Sequence, residues 1–167
     1  MLEKTSRRVS ARTRKQVLLL HIVASAVWFG VDVAMGALIV TAMVTGDPAT
    51  AGIALRAAGL FALWPMFGAS LVCLATGVVL GLGSKYGLLR YWWVAVKLAA
   101  NIVMSVLLVT SLRTGLDEAA GVGERLLVGD PAASVPAGLL GPVVVAPTLL
   151  VISFVLSVFK PRARLRR

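Results

Sequence analysis

Four apolar runs constrain this chain more than any other feature, because a helix needs about 20 residues to cross a ~30 Å hydrocarbon core. They cover residues 17–44, 60–83, 92–112 and 137–159. His21 and Asp32 are the only ionisable residues in the first, and Lys97 is the only charge in the third. The second and fourth carry no charge. Backbone polar groups in lipid must be satisfied within the structure, so spans of this kind read as helices. The expected fold class is therefore an all-α integral membrane protein, a four-transmembrane-helix bundle, with residues 1–167 forming a single membrane domain. The expected order is a basic tail at 1–16, the four spans, and a second basic tail at 160–167. Hydrophobic residues at 59% and charged residues at 14% depart in the same direction from the roughly 45–50% and about 25% of soluble domains. Thr45-Gly46-Asp47-Pro48 and Gly129-Asp130-Pro131 mark turns between spans.

The net charge of +10 suggests nucleic acid until the basic residues are placed. Lys4, Arg7, Arg8, Arg12, Arg14 and Lys15 precede the first span. Lys85 and Arg90 link the second to the third, and Lys160, Arg162, Arg164, Arg166 and Arg167 follow the fourth. With four spans all three groups fall on one side, and only Arg56, Arg113 and Arg125 on the other. The positive-inside rule makes the first side cytoplasmic, at a bacterial-type plasma (inner) membrane, with both termini inside. The expected partners are the bilayer and anionic lipid headgroups at the basic tails. No nucleic-acid partner is expected, since no motif-bearing soluble module accompanies the charges. Ser6-Arg7-Arg8-Val9 superficially resembles a twin-arginine export signal, but the apolar run behind it is too long, so it reads as a retained first span. Tyr91, Trp92, Trp93 and Trp64 suit aromatic belts.

Helices in lipid associate through close packing and polar contacts rather than burial from water. Gly77 and Gly81 form a small-xxx-small pair and read as a helix-packing face. Cys73 reads as a small packing residue. Pro142 and Pro147 are expected to bend or locally unwind the outer half of the fourth span. Either a simple bend or a small lined cavity follows from that.

Chemistry rests with the intramembrane polar residues. His21, Ser25, Trp28, Asp32 and Met35 repeat every 3.5 residues on average, which keeps them on one face. His21 and Asp32 are three turns and about 20° apart, some 16 Å along the axis. Lys97 and Asn101 are one turn apart on the third span. A charge in mid-membrane costs at least ~2.5–3.5 kcal/mol, so these faces are expected to turn inward. Lys97 either snorkels to the cytoplasmic interface, pairs with Asp32, or joins a ligand site. Asp32 must be protonated, paired or hydrated. The ligand- or cofactor-binding candidates are His21, Asp32, Lys97 and Asn101. The metal-ligand candidates are His21, Cys73, Met35 and Met104. One Cys and one His exclude a disulfide framework and any multi-cysteine or His-rich metal site.

Leu20-His21-Ile22-Val23-Ala24-Ser25-Ala26-Val27-Trp28-Phe29-Gly30 resembles the opening helix of copper-resistance protein D-like membrane proteins. The HemJ-like protoporphyrinogen oxidases share a similar opening. Trp92-Trp93-Val94-Ala95-Val96-Lys97-Leu98 resembles the "W-x-x-x-K-L" start of a later helix in that superfamily. The resemblance covers two of the four spans. It implies a small helical membrane bundle and, by the HemJ type, a b-type haem near His21 and Lys97. The chain departs from the pattern at Gly30-Val31, where the group has Gly-Gly, and it lacks further histidines. Bis-histidine haem within one subunit is therefore ruled out.

Several functions stay open. One is a polar intramembrane site at His21, Asp32 and Lys97 that binds haem, metal or a small ligand. A second is a haem-dependent membrane oxidoreductase; enzymatic activity is otherwise not indicated, since no soluble catalytic or phosphate-cradling motif is present. A third is a proton-coupled transporter or an oligomeric channel-like protein, for which four spans imply a homo-oligomer. The fourth is an accessory or structural membrane subunit.

Overall fold

The computed structural model describes residues 10–84 and 87–159. Lys4, Arg7, Arg8, Lys85 and the basic residues from Lys160 to Arg167 lie outside the described residues. Helix α1 spans Ala11–Val44, α2 Pro48–Phe61, α3 Leu63–Leu82, α4 Trp92–Leu107, α5 Arg113–Leu127 and α6 Leu140–Phe159. A π-helical turn, Leu108–Leu112, joins α4 to α5, and a 3₁₀ turn, Ala137–Leu139, leads into α6. No strand occurs among the described residues. Four stretches are long and apolar enough to cross a membrane: Ala11–Val44, Pro48–Leu82, Trp92–Leu127 and Ala137–Phe159. The all-α four-helix bundle expected from the apolar runs is the observed architecture, and these helices define a multi-pass membrane protein.

The first three stretches exceed the apolar runs. Their 34, 35 and 36 residues give helices of roughly 50–54 Å, well beyond the ~30 Å core. Helix α1 starts inside the basic tail, where the Ser10 hydroxyl accepts from Thr13 N–H at 3.1 Å and caps the first turn. Helix α2 starts at the expected turn. Asp47 accepts from Ala49 N–H at 3.3 Å and Thr50 N–H at 3.0 Å, and Pro48 takes the first helical position, where a missing N–H costs nothing. The Thr50 hydroxyl also donates to Asp47, at 2.6 Å. These bonds, led by that of the Thr50 hydroxyl, hold the exposed Asp47 carboxyl below the usual carboxylate range.

Residues 48–59 and 113–127, which the apolar runs leave between the spans, therefore continue as helices. Pro65 explains the break between α2 and α3. It lacks the N–H that the Phe61 carbonyl would accept from, and the ladder resumes with Ala62 N–H on Ala58 and Met66 N–H on Ala62. The π turn sits beside α3 on the third stretch.

Beyond that level α2 and α5 pack on each other, and this contact and the α1–α3 contact are the most extensive in the molecule. Gly52 and Gly123 make the close approach. A Cβ on Gly52 would lie 2.7 Å from the Gly123 carbonyl oxygen, and one on Gly123 would lie 2.8 Å from that of Gly52. The membrane-depth bundle closes as a ring, with α1 against α3 and α6, and α4 against α3 and α6. Phe29 meets Phe154 edge-on across α1 and α6, with centroids 5.8 Å apart. Trp28, Met35, Ile39, Leu55, Met66 and Leu116 form the most buried part of the core.

The prolines of α6 behave differently from each other. Pro142 is the third residue of the helix, among the first-turn positions that have no intrahelical acceptor. Pro147 is interior and deprives the Val143 carbonyl of its partner. Neither lines the cavity at this end of the molecule. That cavity, about 370 Å³, lies between the end of α1, the start of α2, the end of α5 and residues 133–135.

Candidate functional site

The antiparallel packing of α1 on α3 brings His21 and Ser25 against Cys73 and Thr76. Their hydroxyl protons can be traced. Thr76 donates its single proton to the Val72 carbonyl at 2.6 Å. In its 2.9 Å contact with His21 Nδ1 it therefore accepts, and the imidazole carries its proton on Nδ1. Ser25 donates to the His21 carbonyl at 2.7 Å, so in the 3.2 Å contact with Cys73 Sγ the thiol donates. Nε2 keeps its lone pair, 3.9 Å from Cys73 Sγ. Gly77 makes room for the ring, since a Cβ there would lie 3.3 Å from His21 Cε1. Only half of the expected small-xxx-small face serves this packing. Gly81 instead accommodates Leu88 of the linker, whose Cδ2 would lie 2.5 Å from an added Cβ.

Lys97 is half-buried. Its ammonium donates to the Ser157 hydroxyl and lies 5.8 Å from the centroid of the Trp93 ring. Ser157 in turn donates to the Ser153 carbonyl at 2.8 Å. Asn101 engages its own helix, where Ser105 donates to its carbonyl at 2.8 Å. The ion pair present among the described residues is the exposed Arg113–Asp117, at 3.9 Å. Asp32 and Lys97 do not pair.

Asp32 stands apart from this cluster, three turns further along the same face of α1. It is 1% exposed, and neither carboxyl oxygen has a hydrogen-bond partner. Trp28, one turn nearer the His21 cluster, is also 1% exposed, and its indole N–H is likewise unpartnered. The face predicted from the 3.5-residue rhythm thus holds two stations: a hydrogen-bonded one at His21 and Ser25, and a dry one at Asp32, with the Trp28 ring between them.

The donors do not gather as a metal centre. No group of three His, Cys, Asp or Glu side chains converges among the described residues. Met35 is buried but lies 14 residues, about 21 Å, along α1 from His21. Met104 lies about 10 Å beyond Lys97 on α4. His21 and Cys73 alone come together. A porphyrin does not fit this arrangement either. Thr76, Cys73 and Gly77 crowd the imidazole, Lys97 is engaged with Ser157, and neither the 370 Å³ cavity nor a 360 Å³ furrow between α3 and α4 is lined by His21 or Lys97.

From the sequence, Cys73 reads as a packing residue and a metal-ligand candidate, and neither Thr76 nor Ser157 reads as a partner. Thr76 follows Cys73 by three residues on one face of α3, which was a readable signal. The inter-helix register that brings them to His21 was not. Comparison with family models, curated proteins and solved structures gives no match.

Proposed function

We propose that this chain is a plasma-membrane protein of bacterial type, with both termini cytoplasmic, whose interior polar face binds a small cation or amine in exchange for a proton at Asp32. The observation that carries this reading is the Asp32 carboxyl, buried at membrane depth with neither oxygen bonded. An ionised carboxylate held this way would carry a desolvation penalty of several kcal/mol. The group is therefore carried as the neutral acid, and it ionises only when the bundle admits water or a counter-charge. His21 and Ser25 form the second polar station, nearer the cytoplasmic face. An accessory subunit has no need of such an acid, and intramembrane ionisable residues mark ion and proton pathways by default. The orientation rests on the asymmetry of the basic residues.

The test uses the full chain in vesicles with a pH-sensitive dye, challenged with simple alkylamines and monovalent cations. The wild type releases protons on binding, and Asp32→Asn, of equal shape and thermal stability, does not. Equal proton release from both proteins, or none from the wild type, overturns the reading.

A further inference from the structure

A furrow lies on the outside of the bundle, between α3 and the α4–π stretch. Phe67, Leu71 and Leu74 on α3 face Ile102, Val106 and Val109 across a furrow of about 360 Å³. Each set recurs at helical spacing, so the furrow runs along the helix axes for roughly 10 Å, parallel to the lipid chains. Two hydroxyls also line it, but both are spent on their own helix. Ser105 donates to the Asn101 carbonyl at 2.8 Å, and Thr110 to the Val106 carbonyl at 2.9 Å. The furrow therefore offers an occupant apolar surface only.

Its mouth is different. The helices are antiparallel, so Phe67 lies level with Val109, and the next residues outward on the two stripes are Trp64 and Arg113. Trp64 is 68% exposed, the placing of an interfacial indole. Arg113 follows Val109 by one turn. Its pairing with Asp117, at 3.9 Å between two exposed side chains, is worth little and leaves the guanidinium available.

The geometry points to a phospholipid site. One acyl chain lies in the furrow, and the phosphate, in the leaflet nearest the α2–α5 pair, is held by Arg113 beside Trp64. An apolar chain matches the furrow's lining and direction, and the guanidinium complements the phosphate at its mouth. This inference does not depend on the role of Asp32.

The full chain, purified in mild detergent and incubated with phosphatidylglycerol, is examined by native mass spectrometry. The wild type retains one lipid. Val106→Trp plugs the furrow and lowers retention at least tenfold, while Val103→Trp, on the same helix but outside the furrow, leaves it unchanged. Arg113→Gln weakens retention about threefold to fivefold, as expected for an exposed charge contact. Val109→Trp repeats the test if Val106→Trp does not fold. Equal retention by the wild type and the plugged variants overturns the proposal. So does a wild type that keeps no lipid, or an Arg113→Gln protein that holds lipid as well as the wild type. Loss of a dimer rather than of lipid on plugging would assign the furrow to a second copy, and also overturns it.

Discussion

Adding one methyl group at Gly52 is expected to part the α2–α5 pair. The new Cβ would sit 2.7 Å from the Gly123 carbonyl oxygen and 2.8 Å from Leu127 Cγ, where ordinary contact begins at 3.4 Å. The carbonyl belongs to the middle of a helix and cannot swing aside, so the helices must separate by about 0.7 Å. A gap of that size forfeits a quarter to a half of each dispersion contact across it. Overpacking of this kind costs about 1–3 kcal/mol. The helix propensity of Ala over Gly offsets about 0.8–1 kcal/mol, which leaves Gly52→Ala destabilising by up to about 2 kcal/mol. Gly121 is the internal control, since a Cβ there meets nothing within 4 Å. Gly121→Ala keeps the propensity gain alone and stabilises by up to about 1 kcal/mol. Amide hydrogen exchange of the α5 peptides in detergent reads both changes, at tenfold per 1.4 kcal/mol. The expected result is a loss of protection of up to about 25-fold for Gly52→Ala and a gain of up to about fivefold for Gly121→Ala. Shifts of the same sign in the two variants would refute the close approach.

Asp32 and Lys97 do not pair, so a double-mutant cycle of Asp32→Asn and Lys97→Met should be additive within about 0.5 kcal/mol in thermal unfolding; a larger coupling would reveal a pair. Thr76→Val removes the acceptor of the His21 Nδ1 proton and should destabilise by about 1–3 kcal/mol, with Thr76→Ser close to wild type. Asp47 supports α2 as a carboxylate whose folded value lies below its ordinary one. Its contribution is therefore present above the ordinary carboxylate range and lost as pH falls through the folded value. Hydrogen exchange in the first turn of α2 should rise across that acid window in the wild type and show no such step in Asp47→Asn.

The membrane-crossing part of the fold was legible because apolar length is read directly from sequence. The inward face of α1 was legible too, since the rhythm of Ser25, Trp28, Asp32 and Met35 survives as four buried positions. The α2–α5 pair was missed for a physical reason. An apolar-length criterion sees only what crosses hydrocarbon, and the glycines that allow the close approach read locally as breakers. Its signal was present in Ala51, Ala54, Leu55 and Ala58 on α2, and in Leu116, Ala119 and Val122 on α5, all at helical spacing and buried. The partners of the candidate site were less accessible. Thr76 meets His21 across 55 residues, and Ser157 meets Lys97 across 60; a single sequence does not give the register between helices. The three alternatives for Asp32 could not be separated by depth alone, because the choice depends on which atoms lie around its two oxygens.

Infrared difference spectroscopy distinguishes the proposed neutral Asp32 carboxylic acid inside the bundle from a carboxylate. Spectra of the wild type and of Asp32→Asn are taken on the full chain in lipid nanodiscs at neutral pH. The expected result is a carbonyl stretch of a protonated carboxylic acid in the wild type that is absent from Asp32→Asn and barely moves on exchange into D₂O over minutes. A difference spectrum showing only carboxylate bands would contradict it.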